Sequence, residues 1–301
     1  MTHKNLIETI DRFLSYNHRQ LSQVQISFYG GNFLGLSEME MIQLLECAQS
    51  YVDSQKITGI RFSTRPDTVT QKRLHLLENF SIQTVELGVQ SMDDNVLKKS
   101  RRGHTSKRTC QATKSLKRLG YQVGHQVMSG LPGDCSKTFF QTIERVIALK
   151  PDFVRLYPTL VLKNSQLAKW FHEGKYRPIS LNQAVALAKD SLIRFQDAHI
   201  PVIRMGIQPQ DHLEKFIISG PYHPAFGHLV YSDLLLERVS EKIQQTSAHQ
   251  IAIMVNPKII SQIKGMNQNN VKEFSRRFPN KKIQIISDPG TSDIQILELK
   301  Q

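Results

Sequence analysis

The chain is short of cysteine, of acidic residues and of long apolar runs, and each shortage excludes something. Three cysteines occur in 301 residues. They are Cys47, Cys110 and Cys135, and no Cys-x-x-Cys brings two together, so neither a zinc ribbon nor an iron–sulfur motif can be built from sequence neighbours. Sparse, unpaired thiols fit a reduced, intracellular protein, not a disulfide scaffold. No apolar run of about 18 residues exists, so no membrane span is expected. The opening Met1-Thr2-His3-Lys4-Asn5 has no apolar signal-peptide core behind it, and a cytoplasmic location is the expectation. Carboxylates are outnumbered, 26 Asp and Glu against 39 Lys and Arg, for a net charge of +13. That excess reads either as a solvated basic surface or as the footprint of an anionic partner, such as nucleic acid or a phosphorylated substrate.

What is present reads as an ordinary globular chain, 40% hydrophobic and 22% charged. Its length suits one barrel-sized domain with a small appendage. Residues 4–18 carry apolar side chains at helical spacing, Leu6, Ile7, Ile10, Phe13 and Leu14. The apolar run Val24–Phe28 then ends abruptly in Gly30-Gly31. Two glycines at a strand end let the backbone approach something closely, or simply make a tight turn. Ser37 with Glu40 three residues on is a capping box, and it opens a helix to about Val52.

The unit repeats. Strands are expected at 60–64, 84–91, 121–128 and 153–157, each followed by a polar or glycine-bearing loop and, after the first three, a helix. A further strand is expected at 202–206. Strand, loop and helix with short connections predict parallel β/α units, whose right-handed crossovers gather the post-strand loops on one rim. In barrels that rim carries the active site. The segment 220–228 reads as a lid, a hinge or a packed loop. The last seventy or so residues read as a small α/β appendage (230–301) on a core (1–229), with a basic surface from Lys258, Lys264, Lys272, Arg276, Arg277, Lys281 and Lys282. Those charges are a solvated face or an RNA-contacting one.

Five segments occur in order at the strand ends: Phe28-Tyr29-Gly30-Gly31-Asn32-Phe33, Ser63-Thr64-Arg65-Pro66-Asp67, Glu86-Leu87-Gly88-Val89-Gln90-Ser91, Arg102-Gly103-His104-Thr105 and Gly130-Leu131-Pro132-Gly133-Asp134. Together they resemble the strand-end motifs of radical S-adenosylmethionine enzymes, in the branch of the Elongator catalytic subunit and the coproporphyrinogen-oxidase-like proteins. Arg155-Leu156-Tyr157-Pro158-Thr159 and the segment 220–227 match the same branch. The resemblance implies a partial parallel (β/α)6 TIM-like barrel, S-adenosylmethionine as cofactor, and a 4Fe-4S cluster held by Cys-x-x-x-Cys-x-x-Cys after the first strand. The cluster's fourth iron chelates the cofactor, and reduction yields a 5′-deoxyadenosyl radical. In this sequence the triplet is absent, and about twenty residues precede the Gly-Gly strand. The chain is therefore expected to lack the barrel's first strand and to be inactive as given, either because an upstream fragment carries the cluster motif or through a real loss of chemistry. A barrel with an open edge is also expected to express poorly in soluble form.

The resemblance also implies site residues. Tyr29, Gly30, Gly31 and Asn32 would meet the cofactor's methionine end through the backbone. Ser63 and Arg65 would face its ribose and carboxylate, Gln90 would hydrogen-bond in the same rim, and Leu131 and Tyr157 would flank the adenine. Each residue has a plainer reading. Arg65 caps a helix, Glu86 is a satisfied buried carboxylate, Tyr157 is core, and His104 touches phosphate or only solvent. Transfer RNA is the substrate class that the Elongator relatives imply. Two rival readings are a degenerate barrel that binds RNA or a protein partner, and an unrelated phosphate-binding barrel enzyme.

Overall fold

The computed structural model describes residues 3–16, 24–209 and 213–299. In chain order the elements are α1 (His3–Ser15), β1 (Gln25–Phe28), α2 (Glu38–Asp53), β2 (Gly59–Thr64), α3 (Gln71–Leu77), β3 (Ile82–Gln90), α4 (Asp94–Lys99), α5 (Ser106–Arg118), β4 (Gln122–Ser129), α6 (Ser136–Ala148) and β5 (Phe153–Pro158). They continue with β6 (Val161–Leu162), α7 (Gln166–His172), α8 (Leu181–Asp197), β7 (Val202–Met205), α9 (Leu213–Phe216), β8 (Ile217–Ser219) and α10 (Phe226–Gln244). The chain closes with β9 (Gln250–Val255), α11 (Ile260–Lys264), α12 (Asn269–Arg277), β10 (Lys282–Ser287) and β11 (Gln295–Glu298). The chain divides into two compact units, Met1–Tyr157 with Arg194–Arg204, and Pro158–Ile193 with Met205–Gln301.

The first unit is built on a sheet of order β1-β2-β3-β4-β5-β7, whose six parallel strands curl into a half-barrel. The expected α/β repeat is present, and β2 and β5 show the alternation most clearly. In β2 and β5 every second residue is fully buried, while Arg61, Ser63, Arg155 and Tyr157 fall on the opposite, half-buried face. Register carries this through the sheet, with Ser63 beside Glu86 and Glu86 beside Gly124. Parallel pairing puts the strands' carboxyl ends along one edge of the sheet, so loops far apart in sequence become neighbours.

Helices start where the sequence supplies an acceptor. Ser37 and Glu40 form the expected capping box on α2, and Thr70, Asp93 and Thr105 cap α3, α4 and α5. The short α4 had no apolar period to announce it. Beside β1, which among the described residues pairs on one side only, α1 packs Leu6 and Ile10 into an apolar cluster with Cys47, Tyr51 and Ile57. The last residues of the helix expected over 4–18 lie outside the described residues. Phe28, Phe33 and Phe62 stack in sequence, with centroids 5.1 and 4.7 Å apart, and anchor the loop after β1 to the core.

In the second unit β6 and β8 pair antiparallel, two strands too short to show a period. The segment 220–228 is a packed turn leading into α10, with Phe226 buried against Gly206. A three-stranded sheet of order β10-β9-β11 has β10 parallel and β11 antiparallel to β9. Ile251, Ile253 and Val255 bury its face against Leu235, Val239 and Phe274. Of the basic residues noted there, Arg276 and Arg277 turn to Glu273, and Lys281 donates to the carbonyls of Thr246 and Ala248.

His125, on β4, is enclosed behind α5 and makes one hydrogen bond, 2.9 Å from Nε2 to Thr113 Oγ1. The Thr113 hydroxyl donates its own proton to Thr109 O at 2.8 Å, so His125 Nε2 carries the hydrogen and Nδ1 is a bare, unpartnered acceptor. Burial, helped by the Lys117 charge, pushes its pKa from 6.5 down to about 3. The unfolded chain therefore takes up a proton there at mildly acidic pH while the folded chain does not. The expected outcome is that stability from this residue is complete above pH 6.5 and is lost as pH falls toward 3. Urea melts across that range check it, and His125→Gln should flatten this part of the pH dependence.

Candidate functional site

The rim after β1 and β2 is tied by one amide. Asn32 Oδ1 accepts from Arg65 N at 3.0 Å, from Thr64 Oγ1 at 2.8 Å and from Thr68 Oγ1 at 2.8 Å. Thr64 Oγ1 in turn accepts from Leu34 N at 3.1 Å. The Asn32 side chain thus clamps two loops, which leaves Gly30 and Gly31 as the open part of the first. Gly30 has φ +97, a conformation costly for any other residue, and no atom lies within 4 Å of where a Cβ would stand on either glycine. Tyr29, Gly30, Gly31, Asn32 and Ser63 share one cavity of about 250 Å3, lined also by Leu36 and Leu44.

Inside the curl, below this rim, lies a charge cluster. Glu86 on β3 is buried, with 3% exposure, and faces both Arg61 of β2 and Arg155 of β5. Arg61 Nε donates to Glu86 Oε1 at 2.6 Å, and Arg155 Nη2 donates to the same oxygen at 3.1 Å. Arg155 Nε stands 2.9 Å from Oε2 without a hydrogen-bonding angle. Tyr29 Oη also donates to Glu86 and accepts from Arg155 Nη2 at 2.8 Å, and Arg155 Nη1 reaches Tyr157 Oη at 3.2 Å. Each guanidinium lies over a ring, Arg155 over Tyr29 and Arg61 over Phe153. Burial and the bond to Glu86 push the Tyr29 phenol up to about 12, so it remains a donor at neutral pH.

Arg65 and Arg102 flank Gly103. Arg65 is committed, its Nε and Nη2 gripping both oxygens of Asp67 at 2.9 and 2.7 Å. A side chain at Gly103, which has φ +77, would collide with that guanidinium. Arg102 has no carboxylate among the described residues. Its Nη2 rests 3.2 Å from Met128 Sδ, its Nε is buried without a partner, and burial pulls its pKa below the ordinary value. His104 points inward to the carbonyls of Val89 and Arg102. Gln90 takes φ +63 at the end of β3, where the register shifts, and accepts from Gln126 at 3.2 Å. A left-handed non-glycine costs on the order of 1 kcal/mol or more and often marks a functional position.

Of the nine site residues expected from sequence, Tyr29, Gly30, Gly31, Asn32 and Ser63 share a cavity. Arg65 joins them through Asn32, and Tyr157 joins Tyr29 through Arg155. Gln90 lies at the end of the neighbouring strand. Leu131 is buried in the loop after β4, and no hydrogen bond or ring contact among the described residues links it to the others. The expectation missed Arg61, Arg102 and Arg155. Opposite charges on the same face of strands β2, β3 and β5 were the available signal for two of them.

Residues 3–146 match the Radical SAM superfamily, and residues 151–235 match the Radical_SAM C-terminal domain. The chain belongs to the radical SAM superfamily. Among curated relatives of this radical SAM chain, the tRNA uridine(34) acetyltransferase of Methanocaldococcus jannaschii is 30% identical over 196 residues, 61% of this chain and 35% of that protein. Mouse Elongator complex protein 3 is 31% identical over 206 residues, 59% of this chain and 38% of that protein. The chain thus spans little more than a third of the length of these relatives. Among solved structures, an N-terminally deleted Methanocaldococcus infernus Elp3 superposes with a TM-score of 0.64 at 22% identity, covering 81% of this chain and 59% of that one, a likeness of fold.

The superfamily's two cofactors fit these residues unequally. The open Gly30-Gly31 backbone and the unpaired Arg102 fit S-adenosylmethionine, which carries an ammonium and a carboxylate. A 4Fe-4S cluster does not fit the three cysteines. Cys47 is buried under α1, Cys110 lies on α5, and Cys135 caps α6. Among the described residues no three His, Cys, Asp or Glu side chains could hold a metal together. Among them, too, no helix is long and apolar enough to cross a membrane.

The charge cluster should dominate the stability of the half-barrel. Glu86→Gln leaves two half-buried guanidinium groups without their anion and is expected to cost about 3–5 kcal/mol. Tyr29→Phe removes one hydrogen bond and is expected to cost about 1 kcal/mol. Paired urea denaturation curves measure both.

Proposed function

We propose that the chain is an S-adenosylmethionine-binding radical SAM core whose substrate is carried on transfer RNA. One observation carries the cofactor part: an open double-glycine loop stands on the same rim as a guanidinium that, among the described residues, no carboxylate neutralises. Gly30 and Gly31 present backbone carbonyls that accept from the methionine ammonium, with no side chain between. Arg102 takes the carboxylate, since Arg65 is occupied by Asp67 and would have to give up that pair to do the same. Ser63 and Gln90 supply hydrogen bonds to the ribose, and Leu131 and Tyr157 supply apolar and aromatic surface for the adenine. Asn32 meets the cofactor through its backbone, while its side-chain oxygen, spent on Thr64, Arg65 and Thr68, holds the loops in position.

The cluster is a different matter. The three cysteines of this chain do not gather, so the residues present bind the cofactor without a route to deliver an electron to its sulfonium. The chain as given is therefore inactive toward cleavage. The choice of transfer RNA is supported by the relatives named for tRNA uridine(34) acetylation.

Equilibrium dialysis tests the reading with two ligands. S-adenosylmethionine should bind the chain, and Arg102→Ala should weaken it about tenfold or more, the effect of losing one charge-assisted pair. 5′-Methylthioadenosine, which has neither carboxylate nor ammonium, should bind the wild type and this variant alike. Equal loss for both ligands, or no binding of the first, overturns the proposal.

A further inference from the structure

Charge is segregated along the first unit. The 39 residues between Asp94 and Asp134 hold nine lysines and arginines and no carboxylate. By contrast α2 carries Glu38, Glu40, Glu46 and Asp53 with no basic residue. A uniform solubilising coat would mix the signs. In the basic stretch α5 buries Thr109, Ala112, Thr113 and Leu116 on one face. The opposite face presents Lys107, Arg108, Lys114 and Arg118, and Lys98 and Lys99 of α4 are exposed beside its start. Among the described residues none of these six enters an ion pair. The stem of Lys99 lies over Gly133 in the loop after β4, so the basic stripe begins at the rim. From there α5 runs about 20 Å along the outside of the unit.

We propose that the outer face of α4 and α5 binds the sugar–phosphate backbone of a nucleic acid and leads it to the rim. The proposal rests on the reading above only in choosing RNA as the first probe. The face itself selects a nucleic acid over an acidic protein. Protein interfaces are anchored by aromatic and apolar side chains and are depleted in lysine. Here Leu119 is the single large apolar residue exposed in the stretch, among the described residues, and no exposed aromatic accompanies it. A surface of uncommitted cations without anchors suits a repeating phosphate, whose binding comes from counterion release and needs no pocket. The arrangement also differs from the basic residues of the second unit, where Arg276 and Arg277 are spent on Glu273.

Fluorescence anisotropy with a labelled RNA stem-loop, titrated at several potassium chloride concentrations, tests this. The wild type should bind with a steep salt dependence. The triple variant Lys107→Glu, Lys114→Glu, Arg118→Glu should lower the slope of log K against log salt by about 3, one for each lost phosphate contact, and weaken binding more than tenfold. A matched control in the second unit, Lys264→Glu with Lys272→Glu, should leave the slope within about 1 of the wild type. The neutral triple variant with glutamine at the same three α5 positions guards against misfolding, checked by circular dichroism, and should show the same loss of slope. S-adenosylmethionine binding, measured on the same variants, should be unchanged, which separates failure here from failure of the cofactor reading. Absence of RNA binding by the wild type, equal loss in the control, or stronger competition by polyglutamate than by unlabelled RNA overturns the proposal.

Discussion

Glu86 holds the lumen of the half-barrel together. Its carboxylate is met by guanidinium groups from the adjacent strand β2 and from β5, two strands away, and by the phenol of Tyr29. A charge taken this far from water is tolerable only when it is paired and hydrogen-bonded. The pairing in turn constrains everything above it. Tyr29 immediately precedes Gly30, so the loop that opens the rim is moored to β3 and β5 through one hydroxyl. The cluster thus gives an otherwise unsupported double glycine a defined starting direction.

Above the cluster the rim divides its polar groups into spent and spare. Asn32 Oδ1 and the Arg65 fork are spent on neighbouring loops, and they make the rim rigid. The backbone at Gly30 and Gly31 and the guanidinium of Arg102 are spare. A ligand site needs both kinds, because groups held by the protein fix the positions of groups that are not. The same distinction separates the two basic surfaces. Cations paired with Glu273 are structure, whereas those on the outer face of α5 enter no ion pair among the described residues.

Much of this was legible in the residues. Period-two strands at 60–64 and 153–157, the glycines at 30 and 31, and the capping box at Ser37 and Glu40 are local signals, and each stands where expected. The short α4 and the strands β6 and β8 were not legible, since a few residues carry no period. Nor was the commitment of Arg65. Asp67 two residues on is visible in sequence, but whether it takes both guanidinium nitrogens depends on the bend at Pro66. The basic stretch between Asp94 and Asp134 is plain in sequence. That its charges fall on one outer face required the packing of Thr109, Ala112, Thr113 and Leu116 to be known.

The sequence by itself determined the order of the longer strands and helices, the glycines that keep backbone bare, and the motifs that place the chain in the radical SAM superfamily. These rest on neighbours a few residues apart, where periodicity and steric freedom act. Tertiary structure alone decided which charges are paired. Arg61, Glu86 and Arg155 are 25 and 69 residues apart along the chain, and only strand register brings them to one point. Tertiary packing likewise leaves Arg102 beside the thioether of Met128 with no carboxylate in reach among the described residues, because pairing is a property of distance in space and not of position in the polypeptide.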